Sequence, residues 1–267
     1  MTTFKQQIFV ATDAVSFPKS GFDFACQLAN AYTKDVCLIY IPVSKKYDTE
    51  AVEKVLKSWT EQYSLPADSA VCLKYHILTQ ERDFTDFIEE TEASMLVFQR
   101  QQNGFYSKTS KMLQLCRGLR IPYFFVSDGQ KLSFEKVLVP VGFLMEEREK
   151  GPMSSSLGRF FGSEILLMTA KDYGSKAKNN ADSIRTLLSK SEIKCIDVTA
   201  TKDSFKVELE AVKVADSLGA TLLMISASRD YGLDDIIFGP KEQKVIEQSP
   251  VPVMVINPRG DLYALCG

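Results

Sequence analysis

The stretch Ile8-Phe9-Val10-Ala11-Thr12-Asp13 decides the fold, because it has a counterpart 129 residues later in Val137-Leu138-Val139-Pro140-Val141-Gly142. Three further pairs of segments recur in the same order, and self-similarity at a nearly fixed spacing is the signature of a duplicated unit. These pairs are 36–40 with 164–168 (offset 128), 94–98 with 221–225 (offset 127), and 121–126 with 251–256 (offset 130).

The duplication predicts two similar domains, 1–128 and 129–267. They join near Ser127-Asp128-Gly129-Gln130, a short polar stretch of turn-forming residues that suits a linker. Within each half the apolar runs are short, continuous and rich in β-branched or aromatic residues, which is typical of parallel strands covered on both faces. Apolar residues at three- and four-residue spacing lie between these runs and indicate helices.

Each half is therefore predicted to be an α/β domain, with an open, mostly parallel sheet of five strands flanked by helices. Gly151-Pro152 interrupts one helical pattern, so we expect a break or a late start there, with Ser154 to Ser156 as candidate N-caps. The charged segment before it, which includes Glu146-Glu147, is expected on a solvated face or in a partner-facing loop. In the second half we expect helices at about 145–161, 177–190, 204–218 and 240–248.

Composition excludes several classes of function. The 267 residues are 45% hydrophobic and 25% charged, as in folded globular proteins, and the net charge of -2 implies no general affinity for nucleic acid or anionic lipid. The longest apolar runs are too short for a membrane helix. Six cysteines without C-x-x-C spacing, and an N-terminus unlike a signal peptide, favour reduced thiols and a cytoplasmic location.

Signatures of catalysis are also absent from the sequence. His76 is the single histidine, so neither a histidine metal site nor a repeated histidine relay can be built. There is no G-x-S-x-G, H-E-x-x-H or G-x4-G-K-[ST] motif. We therefore expect no metal, no resident cofactor and no enzymatic activity.

The chain resembles the universal stress protein family. The resemblance rests on the segment from 222–226 through Gly239 to 251–256 and on the internal repeat, and it covers nearly the whole chain, once in each half. The resemblance implies a Rossmann-like fold of the adenine nucleotide alpha hydrolase kind. Nucleotide-binding members carry G-x2-G-x9-G-[ST], then a helix and an x-P-V-x-V-V strand. Glycines there let the backbone approach phosphates, and the helix N-terminus attracts the anion. An Asp after the first strand of these members binds the base of the nucleotide.

Compared with that motif, the second half is degenerate. Ser226 and Arg229 stand at the two earlier glycine positions, Gly239 is kept, Pro240 replaces the hydroxyl residue, and Gly142 replaces the Asp. Proline supplies neither an N–H nor a hydroxyl to a phosphate. The guanidinium of Arg229 leaves open a site for some other anion.

The first half departs from the motif differently. Asp13 is kept, but the loop 99–109 is about three residues shorter and lacks glycine at the matching ends. Ser107, Thr109 and Ser110, interleaved with lysines near a helix start, offer hydroxyls and N–H groups for an anion. The alternative is an N-cap beside a solvated charged face. If ATP or AMP binds at all, the first half is the better candidate.

The resemblance implies a cytoplasmic, non-catalytic stress-response protein that acts by binding a partner or a small ligand. Family halves commonly pair through their last strands, so 124–126 and 253–256 are expected to lie close together in an internal pseudo-dimer, and a further homodimer is open. The alternative is a switch that binds ATP or AMP in the first-half pocket, with or without slow hydrolysis.

Overall fold

The computed structural model describes residues 6–42, 47–66, 69–227 and 241–257. The chain forms two compact units, Met1–Asp128 and Gly129–Gly267. Each unit alternates strands and helices along the chain, and every strand pair within a unit is parallel. The predicted α/β class is confirmed.

In the first unit the strands lie in the order β3-β2-β1-β4-β5. β1 is central, with Val10 opposite Leu38 on one side and Val97 on the other. The strands are β1 (Gln7–Thr12), β2 (Asp35–Tyr40), β3 (Leu73–Ile77), β4 (Met95–Arg100) and β5 (Tyr123–Ser127), and the helices are α1 (Lys19–Tyr32), α2 (Thr49–Gln62), α3 (Phe84–Glu90) and α4 (Thr109–Leu115).

The second unit has the order β10-β9-β6-β7-β8, which is the same order when strands are counted within each unit. The strands are β6 (Lys136–Val141), β7 (Glu164–Thr169), β8 (Cys195–Thr199), β9 (Leu222–Ser226) and β10 (Val253–Ile256), and the described helices are α5 (Lys150–Phe161), α6 (Lys176–Lys190), α7 (Val207–Val214) and α8 (Lys241–Gln248).

The central strands are buried on both faces, as their continuous apolar runs predict. Phe9 and Phe98 in the first unit, and Val139 and Met224 in the second, have no exposed surface. Helices cover these strands on both sides, so each strand needs apolar residues at successive positions rather than at alternate ones.

The predicted break at Gly151-Pro152 is wrong. A 3-10 turn at Met145–Glu149 leads directly into α5, which begins at Lys150. Pro152 is the third residue of the helix, where no intrahelical bond needs its N–H, so it is compatible with the first turn. Ser154 is buried, and its hydroxyl donates to Met224 Sδ at 3.8 Å instead of capping a helix.

The helices expected at 177–190 and 240–248 are confirmed to within one residue as α6 and α8, whereas α5 begins five residues after the expected start at 145 and α7 begins three residues after the expected start at 204. α7 ends at Val214, four residues before the end predicted from the sequence. In the part of the chain that is described, no helix combines the length and the hydropathy needed to cross a bilayer.

Replacing Gly158 with alanine should destabilise the second unit. A Cβ at this position in α5 would lie 2.7 Å from Ile193 Cδ1 and closer still to its Cγ2. Relieving such a clash costs about 1–3 kcal/mol, which urea unfolding would measure. Gly174→Ala is the matched control, since nothing lies within 4 Å of its Cβ position. Equal midpoints for the two variants would contradict the packing.

Candidate functional site

Open α/β sheets bind ligands beyond the carboxyl ends of their strands, at the point where the strand order reverses. In the first unit this point lies between β1 and β4. Asp13 directly follows β1, and a loop follows Arg100 at the end of β4. In the second unit it lies between β6 and β9, where Gly142 and Ser226 stand. The residues that match the start of the family motif therefore lie at the same place in the two units, at the point where the strand order reverses.

Asp13 forms the turn that leaves β1. Its Oδ1 accepts a hydrogen bond from the Val15 N–H at 3.1 Å, and Ala14 between them has a φ of 58°. The loop after β4 folds against this carboxylate, because the Cβ position of Gly104 is 3.7 Å from Asp13 Oδ2. Part of the space beside Asp13 is thus taken by the protein's own backbone.

Tyr106 lies in the same loop, within the 3-10 turn Phe105–Ser107, and is almost fully buried. Its hydroxyl has no hydrogen-bond partner among the described residues. Burial raises the pKa of this phenol well above its ordinary value, and the negative charge of Asp13 adds to the effect. Tyr106 therefore keeps its proton and remains a hydrogen-bond donor near Asp13.

The three hydroxyl residues proposed for an anion lie in three different environments. Ser107 donates to its own loop, at the Gly104 carbonyl oxygen (2.8 Å). Thr109 begins α4 and is completely buried, with no partner for its Oγ1 in the described parts of the chain. Ser110 is exposed. The N-cap residue of α4 is Lys108, and no side chain caps the helix.

Two glutamines of β4 and the loop that follows it hold neighbouring segments in place. Gln99 accepts from the Gly21 N–H at 2.9 Å and donates to Asp128 at 2.8 Å. Gln101 donates to Ser16 Oγ at 3.2 Å, which ties the loop after β1 to the loop after β4. These bonds fix the walls of the first-unit site.

In the second unit the position of the family's Asp has little room for a side chain. A Cβ at Gly142 would lie 3.0 Å from Ser204 Oγ and 3.1 Å from Ser204 Cβ. Ser204 is itself held, since its hydroxyl donates to Asp172 and accepts from the Phe143 N–H at 2.9 Å. The close approach of Ser204 therefore favours glycine at position 142.

A buried ion pair lies directly beside Gly142. Lys150 has a fully buried side chain, and its Nζ donates to the Pro140 carbonyl oxygen at 2.6 Å and to Glu147 Oε2 at 2.8 Å. The same Glu147 oxygen accepts from the Gly142 N–H at 3.1 Å. Burial alone would raise the pKa of Glu147, but the Lys150 ammonium and the bond from Gly142 outweigh it and lower the pKa below its ordinary value.

Two more helices bring charges to this pair. Glu208 of α7 places Oε2 3.2 Å from Lys241 Nζ and Oε1 3.9 Å from Lys150 Nζ. Lys241 is the first residue of α8, and the buried Glu242 follows it. Burial would lower the pKa of Lys241, yet Glu208 and the other carboxylates raise it. We call Glu147, Lys150, Glu208, Lys241 and Glu242 the ionic cluster, which has a net charge of -1 when all five groups are ionised.

The sequence pattern did not reveal the ionic cluster. The prediction of a solvated face or partner-facing loop at Glu146-Glu147 is wrong for Glu147, which is buried. Ser226 is buried at the end of β9. Arg229, Gly239 and Pro240 lie outside the described residues, so their proposed roles stay predictions.

Removing the cation of the ionic cluster should be costly. Lys150→Met leaves Glu147 buried without its counter-ion, while Glu208 keeps Lys241, and breaking a buried pair in this way costs about 3–5 kcal/mol. The exposed pair Lys131–Glu135 gives a control, because Lys131→Met should change the free energy of unfolding by about 0–1 kcal/mol. Chemical denaturation measures both, and similar losses would show that Lys150 is not buried with its partners.

The ionic cluster also predicts an acid-dependent loss of stability. The pKa of Glu147 is lower in the folded protein than its ordinary value of 4.5, so the unfolded chain binds more protons near that pH. The stabilisation is complete above pH 4.5 and is lost as the pH falls below it. In thermal melts Glu147→Gln should flatten this dependence, whereas the exposed-site variant Glu90→Gln should keep it. Parallel curves for all three proteins would contradict the expectation.

Comparison with known proteins agrees with this geometry. Residues 162–257 match the family described as the universal stress protein family. The fold of the chain is similar to that of a universal stress protein from Archaeoglobus fulgidus DSM 4304, with a TM-score of 0.73 and 14% identity over 96% of this chain and 97% of that one.

A protein of unknown function from Pseudomonas aeruginosa PAO1 is also similar, with a TM-score of 0.63 and 14% identity over 98% of this chain and 95% of that one. No curated protein matches the chain in sequence. The resemblance noted from the sequence is confirmed: residues 162–257 match the universal stress protein family, and the chain as a whole has the fold of the universal stress protein from Archaeoglobus fulgidus.

Proposed function

We propose that this chain is a non-catalytic stress-response protein of the tandem universal stress protein kind. Its nucleotide sites are degenerate, and it acts through a protein partner or a small ligand. The ionic cluster carries this proposal, because it lies where the second unit would hold a nucleotide. The family match supports the stress-response assignment.

The charge of the cluster opposes a nucleotide. In the family motif the phosphates lie at the start of the helix that corresponds to α8, where partial positive charge attracts anions. Here Lys241 opens that helix and pairs with Glu208, and the buried Glu242 stands next to it. A triphosphate would add negative charge to a cluster that already has a net negative charge when all its groups are ionised, and it would have to separate Lys241 from the buried carboxylate of Glu208.

The base end of the second site is replaced as well. Ser204 fills the space that the side chain of an Asp at position 142 would need. Buried polar groups must find partners on folding, and Ser204 finds its partners in Asp172 and Phe143. The ionic cluster thus occupies the phosphate end of the proposed site, and Ser204 occupies its base end. Both observations support a structural role for the second-unit site.

A second candidate function rests on the first unit. The hydroxyls of Tyr106 and Thr109 are buried without partners among the described residues, and Tyr106 lies near Asp13, which matches the Asp of the family motif. Buried polar groups without partners are rare in folded proteins, and a ligand with polar groups is one way in which they could be satisfied. This observation favours a switch that binds ATP or AMP, while the contact of Gly104 with Asp13 opposes it.

The remaining parts of the proposal follow from the family resemblance and the composition. We place the protein in the cytoplasm, without a metal or a resident cofactor and without affinity for nucleic acid or membranes. Pairing of the two halves through their last strands, and any further homodimer, stay predictions.

The nucleotide content of the purified protein tests the proposal. Protein prepared without added nucleotide is denatured, and the released molecules are analysed by mass spectrometry; titration calorimetry with ATP and AMP follows. We expect no nucleotide at stoichiometric level and no phosphate released from ATP. One nucleotide per chain, lost in Asp13→Ala but kept in the exposed-site control Asp86→Ala, would instead establish the switch. Two nucleotides per chain would contradict closure of the second unit.

A further inference from the structure

Exposed apolar side chains are concentrated on the second unit, on the loops that follow its strands. Leu144, Met145 and Phe205 have 49%, 56% and 77% of their surface exposed. The ring of Phe143 packs against that of Phe205, with centroids 5.4 Å apart, so the loop after β6 and the loop after β8 form one surface. Contiguous exposed apolar surface with a polar rim is characteristic of interaction sites.

This surface is held in a defined shape. Asn180 of α6 donates from Nδ2 to the Gly142 and Leu144 carbonyl oxygens, at 3.0 and 2.7 Å. Ser204 accepts from the Phe143 N–H and donates to Asp172, which joins the loops after β6, β7 and β8. Because these loops are already ordered, they lose less conformational entropy when a partner binds them.

A cavity of about 300 Å³ opens within the surface, between Phe143 and the start of α6. This volume is at the lower end of the range of ligand pockets, roughly 300–1,000 Å³, and suits a side chain better than a whole cofactor. Its walls are Phe143, Leu144, Met145, Arg148, Lys176, Asn179 and Asn180.

The charge of the cavity is purely cationic in its described lining. Arg148 donates from Nε to Asn180 Oδ1 at 2.9 Å, and its two terminal nitrogens have no partner in the described parts of the chain. Lys176 has no ion-pair partner there either. Some exposed cations elsewhere are paired, as Lys131 is with Glu135 and Arg185 is with Asp182 and Asp197, but Arg148 and Lys176 both border one apolar cavity without a carboxylate in its described lining. The two unpaired cations complement carboxylates.

We propose that this surface docks an acidic segment of a partner protein, with one apolar side chain of the segment in the cavity and its carboxylates against Arg148 and Lys176. We call it the aromatic–basic face, and define it by Phe143, Leu144, Met145, Arg148, Lys176 and Phe205. The inference rests on the proposed function, since it names the class of partner through which a non-catalytic protein acts.

The composition of the aromatic–basic face favours a protein partner over other polyanions. Met, Phe and Arg are enriched at the centres of protein interfaces. Nucleic acid is bound through many phosphate contacts, and anionic membranes through clusters of about four to eight basic residues, whereas only two cations line this cavity.

Selection of peptides on the full-length chain tests the proposal. A phage-displayed library of random 12-residue peptides should yield sequences in which Leu, Phe or Trp is flanked by Asp or Glu. In fluorescence polarisation, Met145→Glu and Arg148→Glu should each weaken the best synthetic peptide by about tenfold or more. Added salt should also weaken it, because the contact is partly ionic. Ile196→Glu and Lys131→Glu, at exposed sites off the face, are the controls and should bind normally.

Several results would overturn the proposal. These are enrichment of basic or uncharged peptides, acidic peptides whose affinity is unchanged in Met145→Glu and Arg148→Glu, or equal losses in the two controls. Binding of phosphatidylserine vesicles or duplex DNA that depends on Arg148, without peptide binding, would assign the face to a different class of partner. The nucleotide analysis does not involve this face, so failure here would be distinguishable from failure of the proposed function.

Discussion

The buried contact between Lys150 and Glu147 is the interaction on which the second unit's site depends. The Lys150 ammonium reaches the Pro140 carbonyl in the central strand and faces Glu208 from α7, which in turn pairs with Lys241 at the start of α8. Lys150 thus joins α5 to β6 and α7, and Glu208 extends the contact to α8. Charges are expensive to bury unless each has a partner, so removing any one member affects the others.

The two units share one topology and differ in what occupies the same place. In the second unit the protein's own charges and Ser204 lie where, on the proposed function, a nucleotide would otherwise bind. In the first unit Asp13 remains, and the buried hydroxyls of Tyr106 and Thr109 lack partners among the described residues. The two units thus differ in the polar groups at their corresponding sites although their strand orders agree.

The fold was predictable from sequence because strands covered on both faces require continuous apolar runs, and four such runs recur at nearly one offset. The start of α5 was mispredicted, since Pro152 stands early enough in the helix that its missing N–H matters little. The ionic cluster had no local signal. Its members come from three separate segments, and only the strand order brings them together.

The coupling between Glu147 and Lys150 is the most direct measure of the central claim that a buried ion pair closes the second site. A double-mutant cycle compares the unfolding free energies of Glu147→Gln, Lys150→Met and the double variant with that of the original protein. The account predicts a favourable coupling at the upper end of the range for contacting residues, about 1–3 kcal/mol. Additive losses, with a coupling near zero, would mean that the two groups are separately solvated and that the site is open.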